Sequence, residues 1–365
     1  MIGLTSARNV RASTKQSKKL IPKIHILYKF KSGPWGGGNQ FLKALRTALT
    51  QKGVYAETLD DSDVVLFNSH HFGDGLEQLK LLIELKKSRP GLRLMHRLDG
   101  PVSLIRGGSK SVDELIFHIN ARLADGTVFQ TNWSRKKSAE MGLVTPHSYR
   151  IINNAPDKNL FYPKVQKRQL TKIKLINSAW AANKRKGLDI LHYLDRELDF
   201  ERFEMTFVGN VKSAFQNIIT LPPQNSETLA KMLRAHDIFI APSINDPCSN
   251  ALCEALHSGL PSLVRNSGGH PELLHEGGLT FEDKGDILDK LEELVHSYNG
   301  YRSNIRTRSI NEIADQYHSF AAELMTQDPY YENINISYVR MRLKMYAFKD
   351  RVKNAIFRRI KWNRS

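Results

Sequence analysis

Two carboxylates stand close together in a segment whose other residues are typical of a strand, a loop and a helix. Asp246 follows a short apolar run from Asp237 to Pro242, and Glu254 comes eight residues after it. Ser249 and Asn250, which lie between the two acids, favour the start of a helix. The helical spacing of the apolar residues that follow places Glu254 one to two turns inside this helix. We therefore expect both acids to face one crevice.

The start of that helix is suited to a phosphate, and the two acids are suited to sugar hydroxyl groups. A helix N-terminus combines unpaired backbone N–H groups with a partial positive charge. We expect the amides of Cys248 and Ser249 to bind phosphate while the carboxylates accept hydrogen bonds from hydroxyls. A nucleotide diphosphate sugar has that shape. The alternative is that Asp246 only caps the helix and that Glu254 is a solvated surface residue.

A second glycine-rich turn is predicted at the same edge of the sheet. It consists of Gly268, Gly269, His270, Pro271 and Glu272. It follows the next apolar strand and opens another helix. Two strand-to-helix turns are therefore expected to point at one site, as ligand crevices in parallel sheets lie beyond the carboxyl ends of the strands.

The combined motifs resemble those of the retaining glycosyltransferases of family four, members of the GT-B superfamily. That family has a Pro-Ser strand end, a Glu-Pro-Phe-Gly loop, a second Glu eight positions later, a Gly-Leu-Pro turn and a Gly-Gly-x-x-Glu turn. The corresponding residues here are Pro242-Ser243, Asp246-Pro247-Cys248-Ser249, Glu254, Gly259-Leu260-Pro261 and Gly268-Gly269-His270-Pro271-Glu272. The chain departs from the family at Asp246, where Glu is commoner, and at Cys248-Ser249, where Phe-Gly is commoner. Both departures bear on the identity of the donor sugar.

The resemblance implies an α/β fold of the GT-B type, in which two Rossmann-like domains face each other across a cleft. We predict a flexible basic lead in residues 1–22, an acceptor domain in residues 23–160, a donor-binding domain in residues 161–327 and a basic amphipathic tail in residues 328–365. The implied activity is metal-independent transfer of a hexose from a nucleotide diphosphate sugar to an acceptor hydroxyl, with retention of configuration. The donor is a substrate, and no cofactor is expected.

A basic loop in the second domain is expected to bind the donor diphosphate. Lys184, Arg185 and Lys186 follow an apolar strand that begins at Ile173. The resemblance places a Lys that contacts the diphosphate at Lys186, whereas Ala181 stands where the family has a companion Arg. Arg185 is the expected substitute, since a guanidinium can stabilise the leaving diphosphate. The alternative is that these are solvated charges.

The first domain is expected to supply polar groups at the ends of its strands. The resemblance assigns His96 to the approach of the transferred sugar, with Asp99 second and the pair His70-His71 weaker. A turn at Asp99 and a structural role for His96 are the alternatives. The predicted catalytic residues are His96, Asp99 and Asp246. The predicted donor-binding residues are Gly37, Gly38, Arg185, Lys186, Cys248, Ser249, Asn250, Glu254, Gly268 and Gly269.

Length and composition fit an enzyme of two domains. A chain of 365 residues can bury two cores. It has no run of 18 or more apolar residues and no apolar core of a secretory signal near its start, which predicts a cytoplasmic protein. The spacing of Cys248 and Cys253 fits neither a zinc site nor a redox pair, so we expect two reduced thiols.

The net charge of +17 is concentrated at the two ends of the chain. Residues 1–23 hold six basic residues and no acid, and residues 340–365 hold ten basic residues and one acid. The tail also has an apolar stripe at Met341, Met345, Phe348, Val352, Ala355 and Ile356. A helix of this kind can lie on an anionic membrane. Packing against the enzyme body or a partner is the alternative.

The acceptor expected from this tail belongs to a polysaccharide, a glycolipid or a cell-envelope glycan. One rival function keeps the fold and changes the chemistry, as in a GT-B sugar-nucleotide epimerase or a phosphorylase. The other rival is a basic nucleic-acid-binding protein. The nearly neutral body disfavours nucleic acid, because binding of that kind requires basic residues in the body itself.

Overall fold

The computed structural model describes residues 21–33, 36–68, 75–145, 147–164, 172–211 and 215–345. Within these residues the chain forms two lobes, each built on a parallel sheet. Residues 1–20 of the expected lead, His70-His71, residues 165–171 at the start of the expected donor-binding domain and the tail after residue 345 lie outside the described residues. The predicted fold class, two α/β lobes with alternating strands and helices, is confirmed.

The first lobe contains a parallel sheet of five strands in the order β1-β2-β3-β4-β5. The strands are β1 (Ile24–Leu27), β2 (Val64–Asn68), β3 (Arg93–Leu98), β4 (Gly126–Phe129) and β5 (Ser148–Ile151). The helices are α1 (Gly37–Gln51), α2 (Gly75–Ser88), α3 (Val102–Arg106), α4 (Lys110–Leu123) and α5 (Asn132–Glu140). The central strands β3 and β4 are buried along their whole length, as expected for a sheet covered on both faces.

The chain reverses its direction of travel across this sheet beside β1. Ile24 pairs with Val64 of β2 on one side and forms a parallel bridge with Tyr55 on the other. Because parallel crossovers are right-handed, this reversal places α1 on one face and α2 with α4 on the opposite face. The loops after β1 and β2 therefore flank a switch point, where parallel sheets form ligand crevices.

The second lobe contains a sheet of six strands in the order β11-β10-β9-β6-β7-β8. The strands are β6 (Ile173–Ala181), β7 (Phe203–Asn210), β8 (Ile219–Leu221), β9 (Ile238–Ala241), β10 (Ser262–Arg265) and β11 (Gly278–Phe281). The helices are α6 (Leu188–Glu197), α7 (Ser226–Ala235), α8 (Asn250–His257), α9 (His270–Leu274), α10 (Ile287–His296) and α11 (Tyr298–Ser303), with a 3-10 turn at Lys184–Lys186. Here the switch point lies between β6 and β9, so the loops after these two strands meet.

The end of the described chain returns to the first lobe. Helix α12 (Ile310–Met325) places the fully buried Tyr317 in the core formed with α1. A Cβ on Gly126 of β4 would lie 2.7 Å from the ring of Phe320, so glycine allows α12 to lie close against β4. By its packing, α12 therefore belongs to the first lobe, although it follows the second lobe in sequence.

Residues 330–345 continue over the face of the first lobe that carries α2 and α4. Ile334 and Val339 are buried in that core, and Leu343 packs against it. In contrast, Met341 and Met345 are 50% and 47% exposed. The described part of the predicted amphipathic helix thus packs on the enzyme body through Val339 and Leu343, which were not part of the predicted stripe. No helix in the described ranges is long and apolar enough to span a membrane.

Candidate active site

A cleft of about 2180 Å³ lies between the two lobes, and both lobes line it. The loops after β1, β3, β6 and β9 all reach it. Each of these loops follows the carboxyl end of a strand that lies beside or near a switch point. The predicted site residues that line this cleft are Gly37, Gly38, Asp99, Arg185, Lys186, Asp246, Cys248, Ser249, Asn250 and Glu254. The structure therefore brings together ten of the thirteen predicted residues.

The two turn glycines of the second lobe lie behind the cleft wall and do not line it. A Cβ on Gly268 would lie 2.3 Å from the carbonyl oxygen of Asp246, and one on Gly269 would lie 2.3 Å from that of Pro247. The amide of Gly269 also donates to the Asp246 carbonyl at 2.8 Å. The predicted direct contact of these glycines with the donor is thus replaced by support of the Asp246–Cys248 backbone.

Asp246 is held ionised on the cleft wall by a cation from the neighbouring loop. Lys186 Nζ donates to Asp246 Oδ2 at 2.8 Å. Burial acts to raise the pKa of this carboxyl, but Lys186, His270 and the amide of Cys248 outweigh it, so the pKa lies below its usual value. Lys186 can approach because Gly187 has a φ of +79° and leaves room for Pro242, which lies 2.5 Å from a Cβ built there.

The start of α8 has the expected geometry of a helix N-terminus. Ser249 is the N-cap, and its Oγ accepts from the amide of Leu252 at 3.3 Å. The first lobe comes so close here that a Cβ on Gly37 would lie 2.5 Å from the side chain of Asn250. Glycine at this position therefore lets the N-terminal ends of α1 and α8 converge. In contrast, no described atom lies within 4 Å of a Cβ built on Gly38.

Glu254 lies on the cleft wall, one turn further along α8. Burial raises the pKa of its carboxyl to about 8. Within the described part of the chain, no hydrogen bond or cation compensates this burial. A carboxylate in such a place gains most from a ligand that donates hydrogen bonds, such as a pair of sugar hydroxyls.

His96 is in the interior of the first lobe and does not reach the cleft. Its ring is 0% exposed, stacks on Phe67 with centroids 4.3 Å apart and has Nδ1 at 3.0 Å from Asn120 Nδ2. Burial, then His147, lower the pKa of His96 to about 3, so the ring is neutral. The prediction that His96 approaches the sugar is not met in this structure, since alternation along β3 turns His96 towards α4 and Arg97 towards the cleft.

Asp99 lies in a polar network that links the first lobe to the start of α8. Its Oδ1 accepts from Arg97 Nη1 at 2.7 Å and from Gln130 Nε2 at 2.5 Å. Asn154 accepts from Arg97 at 2.8 Å, and its Nδ2 donates to Asn250 Oδ1 at 3.2 Å. The network therefore fixes the Asp99 carboxylate and connects it to the start of α8.

Sequence reasoning missed Arg97, Gln130 and Asn154 as site residues. Arg97 lies near the end of the buried strand β3, Gln130 follows the buried strand β4, and Asn154 comes three residues after the edge strand β5. A position at or near a strand end was the available signal, but these residue types alone do not distinguish a site from a turn. Arg97 is 2% exposed, and a buried guanidinium requires several acceptors. A strand that contains Arg93, His96 and Arg97 among apolar residues was thus the strongest clue in the sequence.

The basic groups of the cleft come from both lobes. Arg185 Nη1 donates to the carbonyl of Leu104, at the end of the short helix α3. Arg106, the last residue of α3, is exposed and also lines the cleft. Among the described residues no group of three or more His, Cys, Asp or Glu side chains is arranged to hold a metal ion.

Part of the second lobe matches a family of known proteins. Residues 178–297 match the model of the family described as "Glycosyl transferases group 1". A sulfoquinovosyl transferase of Arabidopsis thaliana is 23% identical over 197 residues, which are 48% of this chain and 38% of that protein. A glycogen synthase of Natranaerobius thermophilus is 26% identical over 138 residues, 32% of this chain and 28% of that protein. The chain spans less than two thirds of the length of these curated relatives.

Solved structures are similar over most of the chain. A sucrose-phosphate synthase from Thermosynechococcus elongatus has a TM-score of 0.59 at 11% identity, covering 92% of this chain and 100% of that one. Anabaena HepE in complex with UDP-glucose has a TM-score of 0.59 at 14% identity, covering 84% of this chain and 98% of that one. WaaG, a glycosyltransferase involved in lipopolysaccharide biosynthesis, has a TM-score of 0.58 at 14% identity, covering 82% of this chain and 99% of that one. The chain therefore has the GT-B fold, and part of its second lobe is similar to the glycosyl transferases of group 1.

Proposed function

We propose that this protein is a retaining glycosyltransferase that moves a hexose from a nucleotide diphosphate sugar to an acceptor hydroxyl. The observation that carries the proposal is the convergence of the α8 N-terminus, the Lys186–Asp246 pair and the Glu254 carboxylate on one cleft between two lobes. The group 1 match over residues 178–297 covers this same part of the chain.

The cleft contains the groups that departure of a nucleoside diphosphate requires. The N-terminus of α8 and Lys186 supply positive charge where the leaving diphosphate becomes more negative. The proposed role of the Glu254 carboxylate is to accept hydrogen bonds from the ribose. The ribose hydroxyls would then compensate for the hydrogen bonds to water that this carboxylate loses through burial. The proposed role of Asp246 is to orient the sugar, and its ion pair with Lys186 supports this role because it keeps the carboxylate charged.

Asp99 is the proposed group on the acceptor side of the cleft. Its carboxylate is fixed by Arg97 and Gln130, so it can accept a hydrogen bond from an incoming hydroxyl without reorganisation. This role replaces the one expected of His96, which is buried in the first lobe. The proposed chemistry draws on fixed charges of the protein and requires no metal or cofactor.

The acceptor that we propose is a lipid-linked or cell-envelope glycan, and the proposed place of the enzyme is the cytoplasmic face of a membrane. The exposed Met341 and Met345 support this, because they lie on the opposite side of their helix from the residues that pack on the enzyme body. One structural relative, WaaG, is involved in lipopolysaccharide biosynthesis.

Thermal stabilisation by a set of nucleotide sugars tests the donor proposal, because a ligand that binds only the folded state raises its apparent stability. The expected result is stabilisation by one nucleotide diphosphate sugar and by its nucleoside diphosphate. Free nucleotide should then be released only when an acceptor is present. Conversion of the donor without any acceptor would instead indicate an epimerase, and no stabilisation by any nucleotide would contradict the proposal.

A further inference from the structure

The residues around α3 suggest a division of roles among the cations of the cleft. We infer that Arg106 of the first lobe binds the donor diphosphate opposite Lys186 of the second lobe, while Arg185 joins the two lobes. This inference rests on the proposed function. It differs from the sequence expectation, in which Arg185 and Lys186, both from the second lobe, bind the diphosphate.

Arg185 is engaged with the backbone of the first lobe. Its Nη1 donates to the carbonyl of Leu104, one of the last carbonyls of α3, which find no partner inside so short a helix. A Cβ on Gly107 would lie 2.9 Å from Arg185 Nη2, and Gly107 has a φ of +69°. The guanidinium therefore lies against the C-terminal end of α3, where a positive charge is favourable.

Arg106 occupies the position in the cleft from which a diphosphate can be reached. It is exposed and lines the cleft. Its guanidinium interacts electrostatically with Asp99 of the first lobe and Asp246 of the second. Burial lowers its pKa and the two acids oppose this, but a guanidinium remains charged at neutral pH. Asp246 is also the partner of Lys186, so the charge of one carboxylate acts on both cations.

A nucleoside diphosphate at the start of α8 is stabilised by each further cation that reaches it besides Lys186. The place where the resembled family has a second cation is occupied here by Ala181, at the end of β6. Arg106 supplies that charge from the other side of the cleft. Because Arg106 belongs to the first lobe and Lys186 to the second, the diphosphate bridges the two lobes. Binding of the diphosphate therefore favours closure of the cleft between them.

The experiment measures affinity for inorganic pyrophosphate by calorimetry, which makes the result independent of the nucleoside and the sugar. Arg106→Gln is compared with Arg185→Gln and with Lys110→Gln, a control at an exposed Lys of the same segment that does not line the cleft. Charge-assisted hydrogen bonds contribute about 1.5–3 kcal/mol, so Arg106→Gln should weaken binding roughly 10- to 100-fold. Arg106→Lys should restore part of this loss, and Lys110→Gln should match the wild type.

Arg185→Gln is expected to act differently. Its affinity for pyrophosphate should fall less than that of Arg106→Gln, while small-angle scattering should show a more open particle before ligand is added. The inference is overturned if Arg106→Gln, with an unchanged circular dichroism spectrum, binds pyrophosphate as well as Lys110→Gln does, or if Arg185→Gln loses more affinity. If the wild type binds neither pyrophosphate nor any nucleoside diphosphate, the proposed function fails together with the inference.

Discussion

Glu272 of the second lobe accepts a hydrogen bond of 2.6 Å from the backbone amide of Trp133 in the first lobe. The same carboxylate accepts from the amide of Asn132 at 2.7 Å. Helix α5 thus has its first amides satisfied by an acid from across the cleft, where a negative charge is also favourable. Next to it, Thr131 Oγ1 donates to the carbonyl of Pro247 at 2.8 Å. The glycine-rich turn therefore joins the two lobes.

We predict that Glu272→Gln opens the cleft. The neutral amide retains part of the hydrogen bonding but loses the charge, and capping interactions of this kind contribute about 1 kcal/mol. The radius of gyration from small-angle scattering should increase, and affinity for the donor nucleotide should fall several-fold. Glu276→Gln, two residues beyond α9 on the exposed surface, is the matched control. An unchanged radius and affinity in Glu272→Gln would argue against a joint at this position.

The raised pKa of Glu254 predicts how stability depends on pH. The carboxyl titrates at about 8 in the folded protein and near its usual ~4.3 in the unfolded chain. Between these values the folded state binds more protons, so this group lowers the free energy of unfolding as pH rises from about 4 through about 8. Glu254→Gln should therefore have a higher melting temperature than the wild type at pH ~9 and a similar one at pH ~4. The same difference in melting temperature between Glu254→Gln and the wild type at both pH values would contradict this.

The same group predicts that donor binding releases a proton. A ribose diol binds best to the ionised carboxylate, so below the folded pKa of about 8 binding requires deprotonation of Glu254. Affinity for the nucleoside diphosphate should rise by up to about tenfold per pH unit between pH ~6 and ~8. Calorimetry in two buffers of different ionisation enthalpy counts the protons released. Glu254→Gln should release none from this source, and an identical pH slope in the variant would refute the assignment.

Asp99 and His96 should respond differently to substitution, although they are three residues apart. Asp99→Asn should lower kcat by about 100-fold or more if the carboxylate accepts the proton of the acceptor, with little change in donor affinity. His96→Phe keeps the stacking on Phe67 but leaves Asn120 without this partner, which costs about 1–3 kcal/mol of stability. Its kcat should change less than tenfold where the protein is folded. The reverse pattern would restore the role first expected of His96.

The exposed methionines of the helical segment at residues 336–345 should govern contact with membranes. The double variant Met341→Asp with Met345→Asp should lose co-sedimentation with liposomes that contain phosphatidylserine, since it places charges on the apolar face. Val144→Asp, at a residue that is 72% exposed elsewhere on the first lobe, is the control. Equal binding of both variants, or binding to DNA in place of liposomes, would contradict the membrane proposal.

Local sequence was sufficient for the strands, the helix starts and the motif-bearing loops. The apolar run before Asp246, the cap at Ser249 and the glycine turns at Gly37 and Gly268 depend on near neighbours in the chain. For this reason the α/β architecture and most of the second-lobe residues that line the cleft were predictable. The sequence shows that these positions are glycines. It does not show which distant residue packs so close to each glycine that a Cβ would clash with it.

Tertiary structure decided which side chains face the cleft and what they contact. His96 and Arg97 are adjacent in sequence, yet the pleat of β3 turns one into the core and the other towards the site. The contacts of Glu272 with α5 and of Arg185 with α3 join residues more than 80 positions apart across two lobes. Residue types and spacing determine the elements, but the pairing of distant residues depends on how the two sheets are placed face to face.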